Sequence, residues 1–414
     1  MTSWRRTLYA LWLAQTLTII GFSLRTPFLP LFLADLGTTS TEQQALWAGL
    51  INGGGAAVMA ITAPFWGFVA DRYGRKPMVL RAMFVGSCTI GLMALATSPW
   101  HLLALRFVEG GLTGTVTAST ALVATTVPKE RLGYSLGLMQ MAIFSGSSVG
   151  PLLGGVLGDT IGYRPTFVLA GSLLFISGLL VLVLVQEHFE RPAPRDEDSS
   201  EAASVRALLV TPAMVAMILV LFGLRAASSA IQPIMPLYVE QLASRATGVA
   251  SLAGITMGVM GLTSALASVM LGRAGDRFGT RPILLASIVL SGLLYLPQAG
   301  VQSVGQLILL QAIFGLAVGG ALPTANAIVA HLTPPERRGA IYGFTAAATS
   351  LGGFVGPLGG ASLAAVISIR ATFLVTGALL LAIGLWAWRA IPEQIGVPAT
   401  SGSSRALNRS GSLR

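Results

Sequence analysis

Gly67-Phe68-Val69-Ala70-Asp71-Arg72-Tyr73-Gly74-Arg75-Lys76-Pro77 and Gly272-Arg273-Ala274-Gly275-Asp276-Arg277-Phe278-Gly279-Thr280-Arg281-Pro282 are two copies of one pattern. Each contains a glycine, an aspartate-arginine pair, a second glycine, a basic residue and a proline. Each copy is a short charged island between long apolar runs, so the chain reads as two related halves. The apolar runs set the solvent. Of 414 residues, 53% are hydrophobic and only 10% charged, whereas soluble domains carry about a quarter charged residues. So few charges cannot cover a water-exposed surface, and the bilayer must solvate most of the chain.

A helix needs about 20 apolar residues to cross a bilayer. Twelve runs meet this, at about 8–33, 45–68, 78–97, 101–123, 136–157, 166–185, 211–238, 249–271, 282–300, 306–330, 340–366 and 372–391. The predicted class is an all-α membrane protein of twelve transmembrane helices in two six-helix bundles related by pseudo-symmetry. The expected units are an N-terminal bundle over 1–187, a linker over 188–207, a C-terminal bundle over 208–395 and a disordered tail over 396–414. The linker holds Arg191-Pro192-Ala193-Pro194-Arg195-Asp196-Glu197-Asp198-Ser199-Ser200, which has too little apolar surface to pack. The apolar run after Arg5 and Arg6 is too long for a signal core and lacks a clear cleavage site, so it is expected to be the first span.

Charge sets the expected orientation. Of 26 lysines and arginines, 20 fall on the side of the amino terminus and the even-numbered loops. Three lie inside spans, and only Arg164, Arg245 and Arg370 lie on the opposite side. The positive-inside rule therefore places both termini and the linker in the cytoplasm, in a multi-pass protein of the cytoplasmic or inner membrane. The net charge of +10 is dispersed over short loops, which argues for membrane orientation and against a nucleic-acid partner. A single cysteine, Cys88, excludes a disulfide framework, and His101, His188 and His331 are too scattered for a histidine-rich metal site.

The repeat extends beyond the loops. Pro27 and Pro30 correspond to Pro233 and Pro236, Arg106 to Gln311, Gly110 to Gly315, and Gly150-Pro151 to Gly356-Pro357, all offset by 205 or 206 residues. Six helices separate equivalent positions, so both halves share one topology, with an axis along the membrane normal. A cavity between the halves is the expected binding site.

Three further patterns carry chemistry. Gly146, Gly150, Gly154 and Gly155 with Pro151 form a small-residue stripe on helix 5, where another helix can approach closely; ordinary tight packing is the alternative. Arg106-Phe107-Val108-Glu109-Gly110 lies inside helix 4, where a charge costs about 2.5–3.5 kcal/mol on insertion scales, so a functional reading is the default. Mutual neutralisation of Arg106 and Glu109, three apart on a helix, is the competing account. Arg25 in helix 1 and Arg225 in helix 7 are the other intramembrane cations. Arg25 and Glu109 both lie about eight residues from the external end of their helices, roughly 12 Å deep at 1.5 Å per residue. The depths predict that Arg25 meets Glu109, with Arg106 beside them and Asp35 at the rim.

The loop pattern resembles the hallmark between helices 2 and 3 of the major facilitator superfamily, and the helix 5 stripe resembles the motif of its antiporter branch. Arg106 with Gly110 resembles the helix 4 motif, although Glu109 stands where that motif often has an uncharged residue. Pro27 to Leu31 and Pro64 to Arg72 are similar to stretches of bacterial multidrug exporters. The resemblance covers nearly the whole chain and implies a twelve-helix drug:proton antiporter, not an enzyme, that exports small amphipathic compounds by alternating access.

Several expectations follow from this resemblance. Gly67, Asp71, Arg72, Gly74 and Arg75 in one loop, and Asp276, Arg277, Gly279 and Arg281 in the other, would serve gating. Glu109, Arg106, Arg25 and Asp35 would couple protons. Helices 1, 4, 7 and 10 would line the cavity, placing Arg25, Arg225, Gln15, Phe22, Phe28, Gln232, Met235, Gln311 and Asn326 there. The expected partners are a small-molecule substrate, protons and lipid, acting on a monomer driven by the proton gradient with no other cofactor and no metal. The rivals are proton-coupled transport of one anionic metabolite or nutrient, and a membrane-embedded enzyme or scaffold. Against an enzyme, the residues offer no convergent nucleophile and base, no phosphate loop and no metal-ligand cluster.

Overall fold

A computed structural model describes residues 3–128, 131–187, 207–243, 247–334 and 337–392. The expected linker and tail lie outside these residues. The first bundle comprises α1a (Ser3–Leu24) and α1b (Leu29–Asp35), α2 (Thr41–Tyr73), α3 (Lys76–Met93), α4a (Pro99–Leu112) and α4b (Thr115–Thr126), α5 (Leu132–Thr160) and α6 (Tyr163–Leu184). The second comprises α7a (Pro212–Ile231) and α7b (Met235–Ala243), α8 (Val249–Phe278), α9 (Thr280–Ala299), α10a (Val304–Val318) and α10b (Ala321–Leu332), α11 (Arg338–Val366) and α12 (Ile369–Ala390). No strand occurs among the described residues.

The predicted spans are present, with one systematic difference. Spans 1, 4, 7 and 10 are each interrupted, at residues 25–28, 113–114, 232–234 and 319–320. Among the described residues, ten segments are long and apolar enough to cross a membrane. Those below the threshold are α3, which holds Lys76 and Arg81, and α4, whose halves are each short and whose first half holds Arg106 and Glu109. Helix interruptions at membrane depth are tolerated where the freed backbone groups find protein partners or face a cavity.

Local chemistry explains where the helices start and stop. Ser40, Ser98, Ser303 and Ser368 each accept a backbone N–H at the start of α2, α4a, α10a and α12, satisfying donors that have no partner within the helix. The twin loops end α2 and α8 alike: Gly74 at φ +94° and Gly279 at φ +98° donate to Ala70 O and Gly275 O, both at 2.9 Å. Only glycine adopts these angles without strain, which accounts for the second glycine of the pattern.

The two bundles meet on the face away from the twin loops. A side chain at Gly155 of α5 would strike the Ala250 carbonyl of α8, and Gly254 lies equally close to Pro151 O. On the other flank, a Cβ on Gly49 of α2 would lie 2.7 Å from Pro357 O of α11. Asp159 Oδ2, at the end of α5, accepts the Ser251 N–H of α8 at 2.6 Å, placing a carboxylate at a helix N-terminus. One hydrophobic core runs through this joined face and the second bundle, while a separate core of Leu8, Leu11, Val79, Met83, Val123 and Met139 is confined to the first bundle. Toward the twin loops, Phe65, Phe68, Tyr134, Phe278 and Phe344 are exposed, and the space beside Gly67 and Gly272 is open. The cleft between the bundles therefore opens toward the twin loops and is sealed at the far face.

Candidate substrate cavity and buried ion triad

The break after α1a puts Arg25 at the end of a helix, free to reach across to α4a. Arg25 Nη1 donates to Glu109 Oε2 at 2.7 Å and Nη2 to Oε1 at 2.8 Å, a bidentate pair. The two residues whose matched depths predict a contact do meet. Arg106 Nη1 also donates to Glu109 Oε1. Glu109 is 2% exposed and Arg25 6%, so this pairing replaces lost hydration. Two cations around one carboxylate leave an excess positive charge in the first bundle.

Glycine makes the site possible. A Cβ on Gly110 would strike Gly55 O, and one on Gly55 would lie 2.9 Å from Arg106 Cγ and Nε. The close approach of α2 and α4a presses the Arg106 side chain against α2. One turn beyond Glu109, the Thr113 N–H and Oγ1 both donate to Glu109 O, at 2.9 and 2.7 Å. Helix 4 then breaks at Gly114, at φ +126°.

Between the bundles lies a cavity of about 440 Å³, lined by Met59 of α2, Phe144 of α5, Arg225 of α7a, Ser264 and Ser268 of α8, Phe314 of α10a and Ser350 of α11, among others. Arg225 is its one charged lining residue. Its stem packs at Gly352 and its guanidinium passes Gly353. No carboxylate lies among the lining residues. A second cavity of about 300 Å³ lies toward the twin loops, beside Trp66, Arg75, Arg81 and Thr113, and shares Met59 and Ser350 with the first.

The expected cavity residues divide sharply. Arg225 lines the cavity; the rest are absent from its wall. Phe28 is fully buried and stacks on Tyr163 with ring centroids 5.2 Å apart, so it packs the first bundle. Phe22 turns toward Gly86 of α3, with Arg25 5.9 Å from its ring. Met235 belongs to the core. Gln311 is buried and donates to Gln298 Oε1 at 3.0 Å. Gln15 is also buried. Gln232 and Asn326 are exposed, but away from this cavity. Arg25 is held in the ion triad. Asp35 is exposed at the end of α1b and is not among the hydrogen-bond partners that form the triad.

The physical reason is rotational. Knowing that helices 1, 4, 7 and 10 flank a cavity does not say which face of each helix points into it. The cavity wall missed from sequence comes partly from other faces of helices 7 and 10, such as Leu221, Leu224, Val318 and Leu322, and partly from α2, α5, α8 and α11. Its one sequence signal was the pair Ser264 and Ser268, four apart and therefore on one face of an apolar helix.

The gating and packing residues fall as follows. Gly146, Gly150 and Gly154 face α1: a Cβ on Gly146 would lie 2.7 Å from Ile19 Cβ, one on Gly150 3.0 Å from Ile20 O, and one on Gly154 would strike Leu24 O. Gly155 and Pro151 face α8. Arg72 lies 5.7 Å from the Tyr73 ring and Arg277 5.2 Å from that of Phe278. Arg281 Nη2 donates to Trp388 O at 2.7 Å. The Arg75 and Lys76 N–H groups donate to Glu187 at 2.8 and 2.7 Å, so a carboxylate from the end of span 6 caps α3. The side chains of Asp71 and Asp276 lie outside the described set.

The relatives of this chain carry the same architecture. The family profile described as Major Facilitator Superfamily matches residues 11–255 and 219–410. Multidrug resistance protein MdtG of Enterobacter lignolyticus is 36% identical over 380 residues, covering 92% of this chain and 90% of that protein. MdtG of Salmonella typhimurium is 35% identical over 390 residues, covering 94% and 96%. Among solved structures, a bacterial homologue of the human lysosomal transporter Spinster, inward-facing and unoccupied, matches with a TM-score of 0.76 at 16% identity, covering 94% of this chain and 97% of that one. The nucleoside transporter NupG matches with a TM-score of 0.75 at 12% identity, covering 92% and 100%. The repeated six-helix frame, the twin loops and these matches together establish that the chain belongs to the Major Facilitator Superfamily, as a multi-pass membrane transporter and not an enzyme.

Proposed function

We propose that the chain exports small amphipathic compounds in exchange for protons, as a monomer with both ends in the cytoplasm. The observation that carries this reading is the division of labour inside the molecule. A carboxylate clasped by two arginines sits in one bundle, away from the wall of a central cavity that displays a different arginine. Proton and substrate thus have separate sites, each of which can bias the same two-state frame through its differential affinity for the two states. The relatives named as multidrug resistance proteins support export.

In the arrangement described, the cleft is open toward the cytoplasm and Glu109 accepts N–H donors with both oxygens. This is the state after proton release, ready for substrate from the cytoplasm or inner leaflet. Closure around substrate and opening of the far face then expose Glu109 to external protons. A proton on Glu109 removes the charge that holds Arg25, and the freed α1 break permits return. The unpaired Arg225 and the absence of a lining carboxylate favour substrates bearing an anionic or zwitterionic group, while Phe144, Phe314 and Met59 supply apolar contact.

The test is a thermal-shift screen of purified protein against lipophilic cations, anions and metabolites, followed by transport of the hits in proteoliposomes. Efflux driven by an imposed pH gradient is expected for several chemically different amphipaths. Saturation by one anionic metabolite alone, or transport indifferent to the gradient, would overturn the multidrug antiport reading.

A further inference from the structure

The break in helix 4 releases the carbonyls of its last turn inside the membrane, where an unpaired polar group costs several kcal/mol. Two side chains from other helices each take one of them. Trp66 Nε1 of α2 donates to Gly111 O at 2.6 Å, and Arg81 Nη2 of α3 donates to Thr113 O at 3.4 Å. The two also hold each other, with the Arg81 guanidinium 3.4 Å from the centre of the Trp66 ring.

This cluster is connected at both ends. Thr113, whose carbonyl Arg81 holds, itself donates twice to Glu109 O. On the other side, Trp66 immediately precedes the twin-loop pattern at Gly67, and Arg81 follows Lys76 by five residues. The loop at the membrane surface thus begins and ends on the pair that grips the backbone one turn below Glu109.

The second bundle provides the internal comparison. Positions offset by 205 put Leu271 where Trp66 stands and Ala286 where Arg81 stands. Helix 10 is also interrupted, yet Gly320 there meets the aliphatic Leu271 side chain and Ser287. That bundle has Phe314 in place of Glu109. The clasp accompanies the carboxylate, although both bundles have the break.

We infer that Trp66 and Arg81 are positioning residues which transmit the state of the Glu109 site to the loop that gates the cytoplasmic face. This rests on the reading of Glu109 as proton carrier. Glu109 is faced by Arg25 from α1, Arg106 from its own helix and the Gly55 backbone from α2, with Arg81 of α3 a turn away; α5 and α6 bring no charged side chain to it. The change in helix 4 therefore begins at one carboxylate and leaves through one clasp.

The test needs no substrate. Spin labels at Tyr134 and Phe344, both exposed at the open end of the cleft, report its width in lipid nanodiscs, with Cys88 replaced by serine. In the parent protein the label distance should change as the pH is lowered, and Glu109→Gln should abolish that response. Trp66→Phe and Arg81→Gln should retain the fold but reduce the amplitude of the response at least about threefold, with partial recovery in Arg81→Lys. Leu271→Met should respond as the parent does. An unchanged midpoint and amplitude in Trp66→Phe and Arg81→Gln, with Glu109→Gln flat, overturns the clasp alone. A full response in Glu109→Gln overturns the carrier reading and the clasp with it.

Discussion

At the scale of single residues, the proposed function rests on four charged groups. Replacing Glu109 by glutamine removes the anion and keeps the volume, so substrate should still bind while exchange no longer responds to a pH gradient. Full gradient-driven efflux by this variant in proteoliposomes would exclude Glu109 as carrier. Arg25→Ala leaves the carboxylate with Arg106 alone, and breaking a buried pair costs about 3–5 kcal/mol. Its thermal midpoint in detergent should fall clearly, and Glu109→Gln in the same background should recover part of the loss. Arg225 differs because nothing in the cavity neutralises it. Arg225→Gln should raise KM for anionic amphipaths about tenfold, as loss of a charge-assisted contact worth 1.5–3 kcal/mol implies, and leave KM for lipophilic cations unchanged. Equal effects on both classes would mean that Arg225 supports the fold and does not select substrate.

At the scale of elements, the glycine stripe of α5 works on two faces. Gly146, Gly150 and Gly154 let α1 approach, while Gly155 and Pro151 meet α8 of the other bundle. These contacts predict different consequences for changes only one residue apart. Gly154→Ala forces apart two helices of one bundle and should destabilise the protein in every conformation. Gly155→Ala pushes only on the far-face seam against Ala250, so it should favour the state open at that face. Reaction of a near-isosteric Ser251→Cys, half-buried at this seam, with an impermeant thiol reagent in intact cells measures the shift, with Cys88 replaced by serine. Greater labelling in Gly155→Ala than in the parent is expected, and equal labelling would show that the seam yields without opening. The helix 11 counterparts Gly352, Gly356 and Gly360 pack on α7a in the same manner, so the repeat preserves packing even where the chemistry has diverged.

At the scale of the whole molecule, the frame is symmetric and the machinery is not. The seal at the far face combines apolar and glycine contacts with one carboxylate on a helix terminus, a surface that can separate without unpairing many polar groups. Substrate binding should therefore narrow the Tyr134 to Phe344 label distance while widening one between Leu95 and Ile367, both exposed at the opposite end, the two changes together marking alternating access. Much of this was legible in the residues. Hydropathy and the offset of 205 or 206 residues revealed twelve spans in two repeated bundles, because each span must satisfy its own backbone in lipid. Residue depth along helices 1 and 4 was enough to bring Arg25 to Glu109, since rise per residue is constant. The breaks in four spans, the inward or outward facing of Phe28, Gln311 and Met235, and the capture of helix 4 by Trp66 and Arg81 were decided only by the tertiary structure. Depth is a property of one helix and its position in the bilayer. Rotation about the helix axis, and the partner that takes a released carbonyl, depend on which neighbour packs against it.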